Sequence, residues 1–152
     1  MSPGRRFDCV IMTGHVFQVF LDDRDVRAAL VTLRAHLVPG GRLAFETRNP
    51  ARRAWETWIP AETRQWLCVP DLGEVEVYYA IQSAGGEHVA FETHFRFATN
   101  DTVTTATTLR FMSRERLAAF LVEAGFGEAT WYGNWDRAGW TPCSPEIIVV
   151  AR

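Results

Sequence analysis

The chain has 152 residues, which fits one domain of the ordinary ~100–200 residue range. Its formal net charge is -2, its hydrophobic fraction 47% and its charged fraction 22%; the basic residues are scattered, so no nucleic-acid footprint or anionic-membrane surface is expected. No apolar run approaches the ~20 residues that cross a bilayer. The stretch after the basic start is broken by Asp8, Gly14 and His15, a poor signal peptide, and a cytoplasmic location is expected. Cys9, Cys68 and Cys143 are far apart without C-x-x-C spacing, so neither a metal site nor a disulfide framework is expected.

Phe7 to Thr13 is a nearly continuous apolar run, the pattern of a parallel-sheet strand covered on both faces, with Cys9 expected inside the core. Asp8, at the amino end of that strand, is expected to form a structural hydrogen bond. Asp22 or Asp23 caps a following helix, where Val26, Ala29, Leu30, Leu33 and Leu37 share one face. Pro39-Gly40-Gly41 stops it, and Arg42 to Thr47 is a second strand. Residues 7–47 thus form a strand–helix–strand crossover with parallel strands.

Asn49 to Asp71, with Trp55, Trp58 and Trp66, reads as an irregular cover holding one short helix. Over residues 74–112, Val75, Val77, Tyr79 and Ile81 alternate with polar neighbours, as do Val89, Phe91, Phe95 and Phe97. Gly85-Gly86 and Asn100-Asp101 supply turns, and Thr102 to Phe111 is rich in β-branched residues: an antiparallel meander. Ser113 caps a second helix with Leu117, Phe120, Leu121 and Ala124 inward; Gly125 ends it and Phe126 folds back. Glu128 to Trp135 and Glu146 to Ala151 close residues 113–152 as a hairpin, with Trp131, Trp135 and Trp140 as core and cover. The class is α/β, one domain over 1–152.

Several segments carry a family resemblance. Phe7-Asp8-Cys9-Val10 resembles the F-D-x-V opening of the fourth strand of class I S-adenosylmethionine-dependent methyltransferases. Gly14-His15-Val16-Phe17-Gln18 is similar to the segment after that strand in a small-molecule branch. Leu37-Val38-Pro39-Gly40-Gly41-Arg42-Leu43 resembles the family's L-x-P-G-G-x-L link into its fifth strand, and Leu121 to Phe126 its L-x-x-A-G-F helix end. Tyr132 to Asp136 and Ser144 to Ile148 resemble its closing hairpin. The resemblance implies a partial Rossmann-like sheet of strands 4, 5, 6 and 7 with two helices and a meander insert. It also implies that the first strand–helix units, about 90 residues at roughly 30 per unit, are missing. With them would go the glycine-rich cofactor turn and the acid that holds the ribose; no G-x-G-x-G occurs in the chain.

Ligands of open α/β sheets sit beyond the carboxyl ends of the strands. Thr13, Gly14 and His15 lie there for the first strand, and Glu46, Arg48 and Asn49 for the second. The resemblance implies that Thr13, Gly14 and His15 flank the cofactor S-adenosylmethionine, and that His15 takes a proton from the methylated atom; the alternative is that His15 caps the next turn. Glu46 and Arg48 are candidates for substrate contact. His94, Arg96 and Arg110, from neighbouring meander strands, either meet a small-molecule acceptor or form the solvated face of that sheet. The expected activity is methyl transfer to a small molecule, with weak or no cofactor binding by this chain alone. The rival expectation is a non-catalytic module pairing through strand 7–13 with a second copy or a partner chain.

Overall fold

The computed structural model describes residues 4–152, and the chain forms two compact units, 1–52 with 110–152, and 53–109. The first unit is built on a four-stranded mixed sheet. Strand β1 (Phe7–Met12) runs parallel to β2 (Leu37–Arg48), with Val10 beside Leu43 and Met12 beside Phe45. Helix α1 (Asp23–Ala35) makes the crossover; its cap is Asp22, whose carboxylate accepts from the Asp25 amide at 2.9 Å. After α3 (Arg114–Glu123), strands β7 (Ala129–Tyr132) and β8 (Glu146–Ala151) complete the order β1-β2-β8-β7, with β8 antiparallel to both neighbours.

One face of this sheet is a filled core. Leu43, Phe45, Ile147 and Val149 meet Val26 and Leu30 of α1 and Leu117 and Leu121 of α3. Each such side chain stabilises the fold by about 1.5–3 kcal/mol relative to exposure. Gly125, at φ 86, lets the Phe126 amide return to Leu121 O at 3.0 Å, and Phe126 packs into the same core. Among the described residues, no helix is long and apolar enough to cross a membrane.

The opposite face corrects two expectations. Cys9 and Ile11 are exposed, so β1 is covered on one face only, and Cys9 lies outside the core. Period-two pleating sends Val10 and Met12 to the helices and Cys9 and Ile11 the other way. A continuous apolar run conceals that distinction. Asp8 is likewise exposed. Strand β2 starts at Leu37 rather than Arg42, taking the Pro39-Gly40-Gly41 segment into the sheet. Gly41 permits this because a Cβ there would lie 3.0 Å from Val38 O and 3.1 Å from Phe7 O. Strand β7 is shorter than expected, and Trp135 is exposed, whereas Trp131 and Trp140 pack against the core.

The second unit is an antiparallel sheet in the order β3-β4-β5-β6. Its strands are β3 (Gln65–Val69), β4 (Gly73–Gly85), β5 (His88–Phe97) and β6 (Thr102–Arg110), the last ending at the unit boundary. The meander is as expected, with one strand more. β3 lies in the segment read as irregular; Trp66 and Leu67 are exposed on it, so no burial period marked it, and pairing to β4 holds it. The expected short helix is α2 (Pro60–Thr63), begun by a proline at its first turn.

Candidate functional site

The parallel alignment of β1 and β2 puts their carboxyl ends at one edge of the first unit's sheet, and antiparallel β8 begins there. Three segments meet at this edge. Beyond β1, Gly14 (φ 74) and His15 (φ 58) both adopt left-handed backbone, turning the chain into a 3-10 turn at Val16–Val19. For a histidine that conformation costs about 1–3 kcal/mol. The offset is local: the His15 amide donates to Glu46 Oε1 at 2.9 Å, reaching from β1's end to β2. His15 caps the turn through its carbonyl, which accepts from the Gln18 amide at 2.9 Å, and its ring takes no part in capping. Instead the ring Nε2 lies 3.0 Å from Glu146 Oε2 at the start of β8.

Glu46 is 3% exposed, and its second oxygen, Oε2, is buried with no hydrogen-bond partner among the described residues. A buried carboxylate oxygen without a donor is costly, and such atoms mark places where a ligand or water belongs. Nothing lies within 4 Å of where a Gly14 Cβ would stand, so the turn's backbone is open to close approach. Thr13 and Glu46 also line a largely apolar groove of about 360 Å³ with Ile11, Tyr132 and Trp135.

Behind this edge the contacts are closed. Phe17 stacks on Phe45 with centroids 4.4 Å apart, fixing the turn on β2. Gln18 is fully buried: its amide donates to Arg110 O at 3.2 Å and accepts from Arg48 Nη1 at 2.8 Å. Arg48 therefore braces the turn. Asn49 is spent structurally, donating to Pro142 O and Ser144 O at 3.0 and 2.8 Å and so pinning the link before β8. Arg110 is buried in this unit, donating to Asp23 Oδ1 at 2.6 Å, with Arg116 on the same carboxylate at 2.9 Å. The Arg110 hydrogen bond holds the Asp23 carboxyl below the usual carboxylate range; partial burial opposes this and Arg116 reinforces it.

In the second unit, His94 and Arg96 share a face of β5. Both are committed to neighbours. His94 stacks on Tyr78 at 4.7 Å, with Glu92 at 3.1 Å from Nε2 and Thr104 at 3.1 Å from Nδ1. Arg96 meets buried Glu76 at 2.9 Å, and Arg64 pairs with the same carboxylate. Thus the structure brings together Thr13, Gly14, His15 and Glu46 at one edge, with Arg48 behind, and His94 with Arg96 on a separate sheet.

Sequence reasoning missed Glu146, Gln18 and Asp23 as members of these networks. Gln18, a lone amide within an apolar stretch, was the available signal; Glu146 gave none, because only the β8 register places it opposite Arg48.

Comparison with known proteins bears on the fold. Neither a family model nor a curated protein sequence matches this chain. Solved structures do. A S-adenosylmethionine-dependent methyltransferase from Clostridium acetobutylicum matches with TM-score 0.75 at 14% identity, covering 100% of this chain and 60% of that one. The CcbJ methyltransferase from Streptomyces caelestis matches with TM-score 0.74 at 16% identity, covering 98% and 58%. SAM-bound CalS10, an amino pentose methyltransferase from Micromonospora echinaspora involved in calicheamicin biosynthesis, matches with TM-score 0.69 at 19% identity, covering 100% and 61%. The chain spans about three-fifths of the length of these structures, and over that span it shares the fold of S-adenosylmethionine-dependent methyltransferases.

Proposed function

We propose that this chain is the C-terminal portion of a methyltransferase that uses S-adenosylmethionine to methylate a small molecule. On this reading β1, β2, β7 and β8 correspond to the family's fourth, fifth, sixth and seventh strands, and the second unit is an insert in a single domain. The observation that carries it is the edge formed by Thr13, Gly14, His15 and Glu46: an open backbone turn beside a buried carboxylate oxygen without a donor among the described residues. Such a wall fits a cationic or N–H-bearing ligand, as the sulfonium cofactor and an amine acceptor both are. Thr13 and Gly14 would face the cofactor. His15 would hold the proton released by the acceptor, and Glu46 and Arg48 would shape the acceptor side. When bound, the cofactor supplies an electrophilic methyl group, so the protein's task is to align the reactants and exclude water.

The glycine-rich turn and the ribose-binding acid have no counterpart in this sequence. Isothermal calorimetry with S-adenosylmethionine should therefore register no heat for the chain alone. Micromolar binding would overturn the assignment to a portion lacking the cofactor-gripping half. Methyl transfer itself is tested upstream of Met1: an in-frame strand, G-x-G-x-G and helix would define a longer polypeptide, and that polypeptide should bind the cofactor. A longer polypeptide that failed to bind it would defeat the enzymatic reading.

A second reading, a non-catalytic pairing module, is favoured by one observation. β1 is the outermost strand of its sheet and carries exposed Phe7 and Ile11.

A further inference from the structure

The contact between His15 and Glu146 has a chemical consequence that sequence did not expose. We infer that Glu146 is a positioning residue that fixes the His15 ring in one tautomer and leaves a defined nitrogen as proton acceptor. A carboxylate only accepts hydrogen bonds, so His15 Nε2, at 3.0 Å from Glu146 Oε2, carries the hydrogen. In the neutral ring the lone pair then sits on Nδ1, which has no hydrogen-bond partner among the described residues. A histidine's reactive nitrogen is set by the bond its other nitrogen makes.

Every other contact around the ring is consistent with a held base. The His15 backbone cannot drift, because its amide is tied to Glu46 Oε1 at 2.9 Å and its carbonyl to the Gln18 amide. Glu146 is also held, its amide bonded to Gly133 O and its position fixed opposite Arg48 in the β2–β8 register. Arg48, on the neighbouring strand, donates through Nη1 to Gln18 Oε1 at 2.8 Å and so braces the turn that carries His15. Both side chains are partly accessible, His15 at 24% and Glu146 at 20%, so the ring can exchange a proton with a ligand or solvent.

What Nδ1 does rests on the methyl-transfer reading. There the acceptor's heteroatom uses its electron pair to bond the methyl carbon, and the methyl–sulfur bond breaks with its pair kept by sulfur. The proton that the heteroatom sheds goes to Nδ1. The tautomer itself does not rest on that reading.

Long-range proton–nitrogen NMR spectra of the labelled chain at alkaline pH test the assignment, with the His15 signals identified by their loss in His15→Gln. The wild-type ring should be the Nε2–H tautomer. In Glu146→Gln the amide can either donate or accept, so a mixture of tautomers is expected; Glu146→Asp should restore the wild-type pattern. An Nδ1–H ring in the wild-type chain, or an unchanged pattern in Glu146→Gln with a native amide spectrum, would overturn the proposal. Should Glu146→Gln fail to fold, the wild-type tautomer alone decides. Calorimetry with the cofactor judges the methyl-transfer reading separately, and neither result forces the other.

Discussion

Asp23 is where local charge becomes a measurable property of the whole fold. Its carboxylate begins α1, accepts from Arg110 and Arg116, and titrates below the ordinary aspartate range because those hydrogen bonds favour the ionised form. A carboxyl lowered in the folded state contributes stability that is present above its unfolded value and is lost as pH falls through the lowered one. Urea unfolding across an acid pH series should therefore show wild type more stable than Asp23→Asn at neutral pH, the two curves converging in acid below the ordinary aspartate value. A gap that stays constant down the series would mean that Asp23 acts by packing alone. The role of this residue was half legible. Its place near a helix start could be read from the apolar spacing that follows, but its partners lie 87 and 93 positions away, and no local pattern encodes them. Glu146 was hidden for the same reason, whereas the position of Thr13, Gly14 and His15 beyond β1 was legible because a strand's carboxyl end is a local feature.

At the scale of elements, Pro39-Gly40-Gly41 shows what the sequence disclosed and what it withheld. That a helix must stop before this segment was legible, since proline and glycine end helices for backbone reasons, but α1 ends earlier than expected, at Ala35 with His36 as its cap. That the segment joins the sheet was not legible, because the reason is a close approach to another strand. Gly40 takes φ 78, a left-handed conformation, while Gly41 faces the carbonyl oxygens of Val38, Phe7 and Asp8. Backbone atoms cannot swing aside as a flexible side chain would. Gly41→Ala should thus push the start of β1 from β2 and lower stability by about 1–3 kcal/mol, the usual cost of overpacking. Gly85→Ala is the matched control: nothing stands within 4 Å of its Cβ position, and a change within about 0.5 kcal/mol is expected. Equal urea midpoints for the two variants would refute the close-approach explanation. β3 illustrates the opposite limit, a strand with exposed Trp66 and Leu67 whose partner, β4, supplies the order that its own side chains do not announce.

For the molecule as a whole, the decisive feature is the asymmetry of the first unit's sheet. Helices α1 and α3 bury one face, where Leu43, Ile147 and Val149 are inaccessible, while Cys9 and Ile11 stand exposed on the other. A strand edge with open amides and carbonyls is a template for another strand. The exposed side chains Cys9 and Ile11 and the outer edge of the sheet lie on one strand, β1. Purified chain should therefore self-associate, with light scattering giving about twice the 17.2 kDa protomer mass as concentration rises. Ile11 is 66% exposed, so Ile11→Lys costs little in the protomer yet places a charge on the pairing strand. This variant should remain monomeric, with the unfolding midpoint of dilute, monomeric wild type. Wild-type chain that stays monomeric at high concentration would remove self-pairing as an explanation for the bare edge. A dimer that Ile11→Lys leaves intact would move the contact to another surface and leave β1 open for a different chain.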